Sequence, residues 1–132
     1  MIVVDTNVIA YLYLPGDFTA ASEALLEQEP DWAAPVLWRS EFRNVLSGYM
    51  RRGLMSAEQA MRVQRKAESL MAGAEFEVDS DTVLRLVEGC DCSAYDCEFV
   101  ALAIANKVPL VTLDAKLLRA FSEHTRALST AG

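Results

Sequence analysis

The chain has 132 residues, of which 52% are hydrophobic and 23% charged, with a formal net charge of −7. That length holds one domain with a core of its own, and the composition excludes a disordered chain. No run approaches the roughly 18 apolar residues that a membrane span needs, and no leader with an apolar signal core precedes the first strand, so the expectation is a cytoplasmic location without membrane contact.

The elements follow one another in an alternating pattern. Ile2-Val3-Val4 is an unbroken β-branched run of the kind found in buried parallel strands. Asp5-Thr6-Asn7 offers capping side chains for a helix through Leu12, which Pro15-Gly16-Asp17 breaks. A second helix is predicted over residues 19–28, then a short strand at Trp32-Ala33-Ala34 before Pro35. Trp38, Phe42, Val45, Leu46 and Tyr49 recur at helical spacing and mark an amphipathic helix that Gly53 ends. Ser56 and Gln59 form a capping box for the next helix. Glu75-Phe76-Glu77-Val78 reads as a strand, and Asp79 or Ser80 caps a helix through Leu84, Leu86 and Val87. Ser93 opens a helix through Ala105, Pro109-Leu110-Val111-Thr112 is a strand, and Asp114 starts a helix to Phe121. A last strand lies near Ala127-Leu128. Short apolar strands alternating with helices imply an α/β domain over residues 1–132, its central parallel sheet of about four to five strands covered by helices on both faces.

Cys90, Cys92 and Cys97 are the chain's three cysteines. An odd count argues against a disulfide framework, and a structural zinc site lacks a fourth ligand because the single histidine, His124, lies far away in sequence. Buried free thiols are the expectation. The charge is unevenly spread. Residues 36–66 hold seven basic residues (Arg39, Arg43, Arg51, Arg52, Arg62, Arg65, Lys66) against Glu41 and Glu58, a balance of +5 that leaves −12 for the remainder. Such a strip is either two solvated helix faces or a track for a phosphate backbone.

Four carboxylates stand out. Asp5 and Asp114 follow strands, and in open α/β sheets ligands bind beyond the carboxyl ends of the strands; capping explains either one alone. Glu41 lies four residues after Leu37 and four before Val45, at the edge of an apolar stripe where an unpaired charge is costly. Asp96 shares a face with Phe99, Val100 and Ala103, and capping through Ser93 explains it but not Glu41. Carboxylates gathered without compensation destabilise a fold. A hard divalent cation resolves the conflict, and oxygen-only ligation favours Mg²⁺ or Mn²⁺ over zinc. Such a centre activates water for attack on phosphorus and neutralises the leaving oxygen.

The residues carry a resemblance. Ile2-Val3-Val4-Asp5-Thr6-Asn7-Val8 resembles the opening of PIN domains, a hydrophobic strand ending in D-[ST]-[NS]. Arg39-Ser40-Glu41-Phe42-Arg43-Asn44-Val45-Leu46 looks like their second motif, and Ser93 to Ala103 is similar to their third. Pro109-Leu110-Val111-Thr112-Leu113-Asp114 matches the closing T-x-D. Order, spacing and length resemble VapC toxins. The resemblance implies a Mg²⁺- or Mn²⁺-dependent endoribonuclease toxin, normally a homodimer, held inactive by a VapB-like antitoxin. It implies Asp5, Glu41, Asp96 and Asp114 as catalytic metal ligands, with Thr6, Asn7 and Thr112 supporting the pocket. Arg39 and Arg43, in the basic strip, are the nearest candidates to carry the RNA backbone. Many relatives place another acidic residue soon after the closing Asp, whereas here Ala115-Lys116-Leu117 follows, so the number of metals stays open.

Other readings of the first Asp fail on their motifs. A haloacid-dehalogenase-type phosphatase needs Asp-x-Asp where this chain has Asn7, and a response-regulator receiver needs a phosphoacceptor Asp after a middle strand. An RNA- or protein-binding PIN module that does not cut is the alternative from another class. Trp32 and Tyr49 are expected as exposed apolar residues available to an interface.

Overall fold

The computed structural model describes residues 1–130. β1 (Ile2–Val4) leads into α1 (Thr6–Tyr13) and α2 (Thr19–Gln28), then β2 (Trp32–Pro35), α3 (Trp38–Arg51), α4 (Ala57–Met71) and β3 (Glu75–Phe76). α5 (Ser80–Glu88), α6 (Ala94–Asn106), β4 (Leu110–Thr112), α7 (Ala115–Ala120) and β5 (Thr125–Ala127) complete the described chain. The five strands form one sheet in the order β3-β2-β1-β4-β5, every pair parallel. This is the α/β architecture that the alternating pattern predicts.

Sheet order decides where the chain can build a site. From β1 the chain winds outward through β2 to β3, then crosses back to β4 on the other side of β1 and continues to β5. Crossovers between parallel strands are right-handed, so reversing the winding direction moves the connecting helices to the opposite face. The contacts agree: α1, α2, α3 and α4 pack with one another and reach β2 and β4, whereas α6 lies on β1, β2 and β4 with α5 outside it. β1 and β4 are therefore the neighbours at which connections diverge, and a crevice opens beyond their carboxyl ends. Asp5 follows one of these strands and Asp114 the other.

The core is what the strand composition demands. Val3, Val4, Leu110 and Val111 are fully enclosed in the paired strands, and Trp38, Phe42 and Leu46 supply the buried face of α3. Boundaries follow from caps. Ser56 and Gln59 make the reciprocal capping box of α4, Asp79 caps α5, and Gly53 leaves α3 in the left-handed region at φ 73°.

Four expectations need correction. Trp32 is 3% exposed, a core residue of β2 and not an interface residue; parallel strands are covered on both faces, so no side of β2 is left for solvent. Tyr49 is partly covered, with the Arg52 guanidinium 4.8 Å over its ring. The strand predicted over 75–78 stops at Phe76, because its partner β2 ends at Pro35 and turns into α3, leaving Glu77 nothing to pair with. β5 begins at Thr125, slightly earlier than expected.

Candidate active site

Each sequence-flagged carboxylate stands at the first turn of a helix, held there by local chemistry. Asp5 is the N-cap of α1 and its Oδ1 accepts the Val8 N–H at 3.1 Å. Asp114 caps α7, its Oδ1 accepting from the Lys116 and Leu117 backbone at 2.8 and 3.1 Å. Asp96 sits in the first turn of α6 with its own N–H donated to Ser93 Oγ at 3.0 Å. Glu41 belongs to the first turn of α3. Capping therefore explains the placement of Asp5 and Asp114 along the chain, yet not why four such turns face each other.

They do face each other. Asp5, Glu41, Asp96 and Asp114 line one open cleft of about 630 Å³, together with Thr6 and Asn7. Two threonines tie the carboxylates to the sheet. Thr112 Oγ1 donates to Asp5 Oδ2 and accepts the Asp114 N–H at 3.0 Å, bridging the ends of β1 and β4. Thr6 Oγ1 donates to Glu41 Oε1 at 2.7 Å. Thr6 and Thr112 are buried, so these bonds run where water competes little. Asn7 lines the cleft with an exposed side chain.

The electrostatics show a site short of positive charge. Burial holds the Asp5 carboxyl above its usual range and the charge of Asp114 adds to the effect, while hydrogen bonds from Thr112, Val8 and Asn7 pull it partly back. Glu41 is also raised, by burial first and then by the charges of Asp96, Asp5 and Glu98, against the Thr6 bond. Among the described residues that line the cleft, none is basic. An all-oxygen donor set whose members disfavour one another's ionisation suits a hard cation such as Mg²⁺ or Mn²⁺. Among the described residues no three His, Cys, Asp or Glu side chains close into a ready cage. The carboxylates line the walls instead, which fits an ion that keeps much of its water.

The two arginines singled out from the sequence lie elsewhere. Arg39 is turned away from the cleft: its Nε reaches Glu75 Oε1 at 2.5 Å, its Nη2 reaches Glu75 Oε2 at 2.7 Å, and its Nη1 reaches Glu68 at 3.0 Å. Trp38 Nε1 donates to the same Glu75 at 2.7 Å. Arg39 stands two residues from Glu41, a rotation of roughly 200° around the helix, which aims it at α4 and β3. Its guanidinium fastens α3 to α4 and β3. Arg43 is exposed and hydrogen-bonds Ser40 Oγ at 3.1 Å, so it touches a lining residue without lining the cleft itself.

Sequence reasoning passed over Ser40, Asn44 and Tyr95, which also line the cleft. A signal existed for each: Ser40 and Tyr95 adjoin flagged acids and Asn44 follows Glu41 by three, one helical turn. Tyr95 is 61% exposed. Glu98 gave no signal, because two residues after Asp96 is the wrong side of a helix; it lies half-buried in a second cleft with Val36, Phe76 and Leu84.

Comparison with known proteins places this architecture. The PIN domain family model matches residues 2–122. Among solved structures, PAE2754 from Pyrobaculum aerophilum superposes with a TM-score of 0.75 at 23% identity, covering 96% of this chain and 89% of that one. FitAcB from Neisseria gonorrhoeae gives 0.70 at 19% identity over 98% of both chains. A chain of a toxin–antitoxin complex from Klebsiella pneumoniae gives 0.67 at 16% identity, again over 98% of both. No curated protein matches significantly. With its sheet order, its crevice at the ends of β1 and β4 and a family match over nearly its whole length, the chain belongs to the PIN domain family.

Proposed function

We propose that this PIN domain, spanning residues 1–132, is a VapC-type toxin, an Mg²⁺- or Mn²⁺-dependent endoribonuclease that acts in the cytoplasm. The observation that carries the reading is the convergence of Asp5, Glu41, Asp96 and Asp114, from four separate helix starts, on one cleft without a basic lining residue. A purely structural cluster would place an arginine or lysine among them. The likeness to a chain of the Klebsiella pneumoniae toxin–antitoxin complex supports a cognate VapB-like antitoxin as partner. A homodimer is the corresponding assembly.

In this reading Asp5 and Asp96 are the principal cation ligands, with Glu41 and Asp114 as outer ligands. The bound cation supplies charge neutralisation for the phosphate and acidifies water. The protein supplies the remainder. Thr112 fixes the rotamer of Asp5 and, through the Asp114 N–H, the distance between the two strand ends. Thr6 occupies Glu41 Oε1, which leaves Oε2 to take a proton from the attacking water. Burial makes that carboxylate a stronger base than an exposed one. Asn7 presents its exposed side-chain amide at the cleft for the substrate, and Tyr95 offers a ring to an unstacked base. Water attacks phosphorus in line, leaving 5′-phosphate and 3′-hydroxyl ends.

The test is a map of new RNA 5′ ends after induction of the wild-type chain in bacteria, beside Asp96→Asn. Discrete ends that appear only with wild type, and that purified protein reproduces only with a divalent cation, establish the activity. Identical maps, with purified protein inert toward the same RNA in Mg²⁺ and Mn²⁺, return the chain to the reading of a non-cleaving binding module.

A further inference from the structure

Three thiols gather where α5 hands over to α6. Cys90 lies in the bend after α5 and is half-buried, Cys92 is buried two residues on, and Cys97 is fully enclosed near the start of α6. The sulfurs of Cys90 and Cys97 are 3.7 Å apart. The Cys92 N–H donates to Cys90 Sγ at 3.4 Å, which holds that sulfur in place in the turn. Of the three, Cys90 is the residue with surface left open, and Cys97 is fully enclosed beside it. Reversible oxidation is the commonest use of disulfide chemistry in reducing compartments.

We propose that Cys90 and Cys97 are a modification site, forming a reversible intrachain disulfide when the protein meets a peroxide. Hydrogen peroxide oxidises the Cys90 thiol to the sulfenic acid and releases water. The Cys97 thiol then attacks that sulfur, the S–S bond forms and a second water leaves, so one peroxide takes two electrons from two thiols. Bond formation closes the sulfur separation by roughly 1.6 Å, given a disulfide length of about 2.05 Å. Cys97 is anchored in the core, so the movement falls on the 90–93 bend and on Ser93, whose hydroxyl accepts the Asp96 N–H. Oxidation thereby reaches the turn that presents Asp96. The effect on cleavage rests on the function proposed above; the disulfide does not.

The three cysteines can be told apart chemically. Cleavage before aspartate cuts at Asp91 and Asp96 and puts Cys90, Cys92 and Cys97 on three different fragments. Full-length protein is treated with hydrogen peroxide, alkylated in denaturant, digested and weighed. The expected product joins the fragment ending at Cys90 to the fragment beginning at Asp96, with Cys92 alkylated, and dithiothreitol restores three alkylated thiols. Cys92→Ser retains the link and Cys90→Ser loses it, both judged on protein shown to be folded by circular dichroism. A link through Cys92, a link between two chains, or three thiols still alkylated after peroxide overturns the site. RNA cleavage is read on the same samples. A several-fold loss on oxidation that dithiothreitol reverses supports the coupling to Asp96, and unchanged cleavage by protein with the proven bond removes it. Protein inert both reduced and oxidised overturns the nuclease reading while the mapped disulfide stands.

Discussion

Thr112 shows how a single hydroxyl can organise a site it does not line. It is fully buried, donates to Asp5 and receives the Asp114 N–H, so it speaks to the two acids at the switch point at once. Supporting partners of this kind change metal affinity by about 10–100-fold when removed. Thr112→Val, nearly isosteric, should weaken Mn²⁺ binding in calorimetry by about that range, and unchanged affinity would reduce Thr112 to a core residue. Asp5 makes the converse case. Its carboxylate is held in a buried, anionic setting, so Asp5→Asn should raise the melting temperature of the cation-free protein at pH 7 while abolishing cleavage. A lower melting temperature would mean that the Asp5 hydrogen bonds outweigh its burial. The positions of these residues were legible in the sequence as far as residue type allowed. The T-x-D motif named Thr112, and strand ends named Asp5 and Asp114. That Thr112 bridges them was not legible, since it depends on β4 lying beside β1, a pairing between residues more than a hundred positions apart.

At the scale of elements, the α3–α4–β3 corner is closed by a polar fastener. Glu75 receives Trp38 and Arg39 of α3, and Arg39 also pairs with Glu68 of α4, whose other oxygen accepts from Gln64 at 2.8 Å. The arginine beside it holds the Glu75 carboxyl below its usual range, with Trp38 assisting. Leaving the Arg39 and Trp38 donors short of an acceptor costs about 1–3 kcal/mol. Glu75→Gln should lower stability by that amount in urea unfolding with cleavage per folded molecule retained. Arg39→Ala should likewise lower the unfolding midpoint and leave RNA affinity where it was; a selective loss of RNA binding would restore Arg39 to the substrate. Here the sequence did not show the ion pairs, for a definite reason. A basic strip in one dimension does not say which residues share a helix face, and acidic partners some thirty residues downstream were counted with the rest of the charge. Helix boundaries were more readily read, because Ser56, Asp79, Ser93 and Asp114 announce them through capping.

Over the whole molecule, a net charge of −7 and a cleft lined by acids make the cation-free protein sensitive to pH. The folded-state pKa values of Asp5 and Glu41 are raised, so between the unfolded and folded values the native state binds more protons and stability falls as pH climbs. The contribution is fully present below the ordinary carboxylate pKa of about 4 and is lost as pH rises through the raised values. Thermal melts without divalent cation should therefore show these two groups costing more at pH 7 than at pH 4. Mg²⁺ or Mn²⁺ should raise the midpoint more at pH 7 than at pH 5, where protons compete for the same oxygens. An equal rise at both values would place the ion away from these carboxylates.

The sheet order has a consequence for the timing of assembly. β1 at the middle of the sheet is made early in synthesis, yet one of its two neighbours, β4, comes only after residue 109, and Asp114 follows it. A ribosome-bound chain can hold Asp5 and Glu41 long before it has anything to complete the cleft. Strand pairing over so long a separation is also slow, since the loop must close before the contact stabilises it. On the function proposed above, a nascent chain therefore has no completed cleft with which to cut RNA until most of its length has emerged. That interval is open to a partner that captures the early elements first.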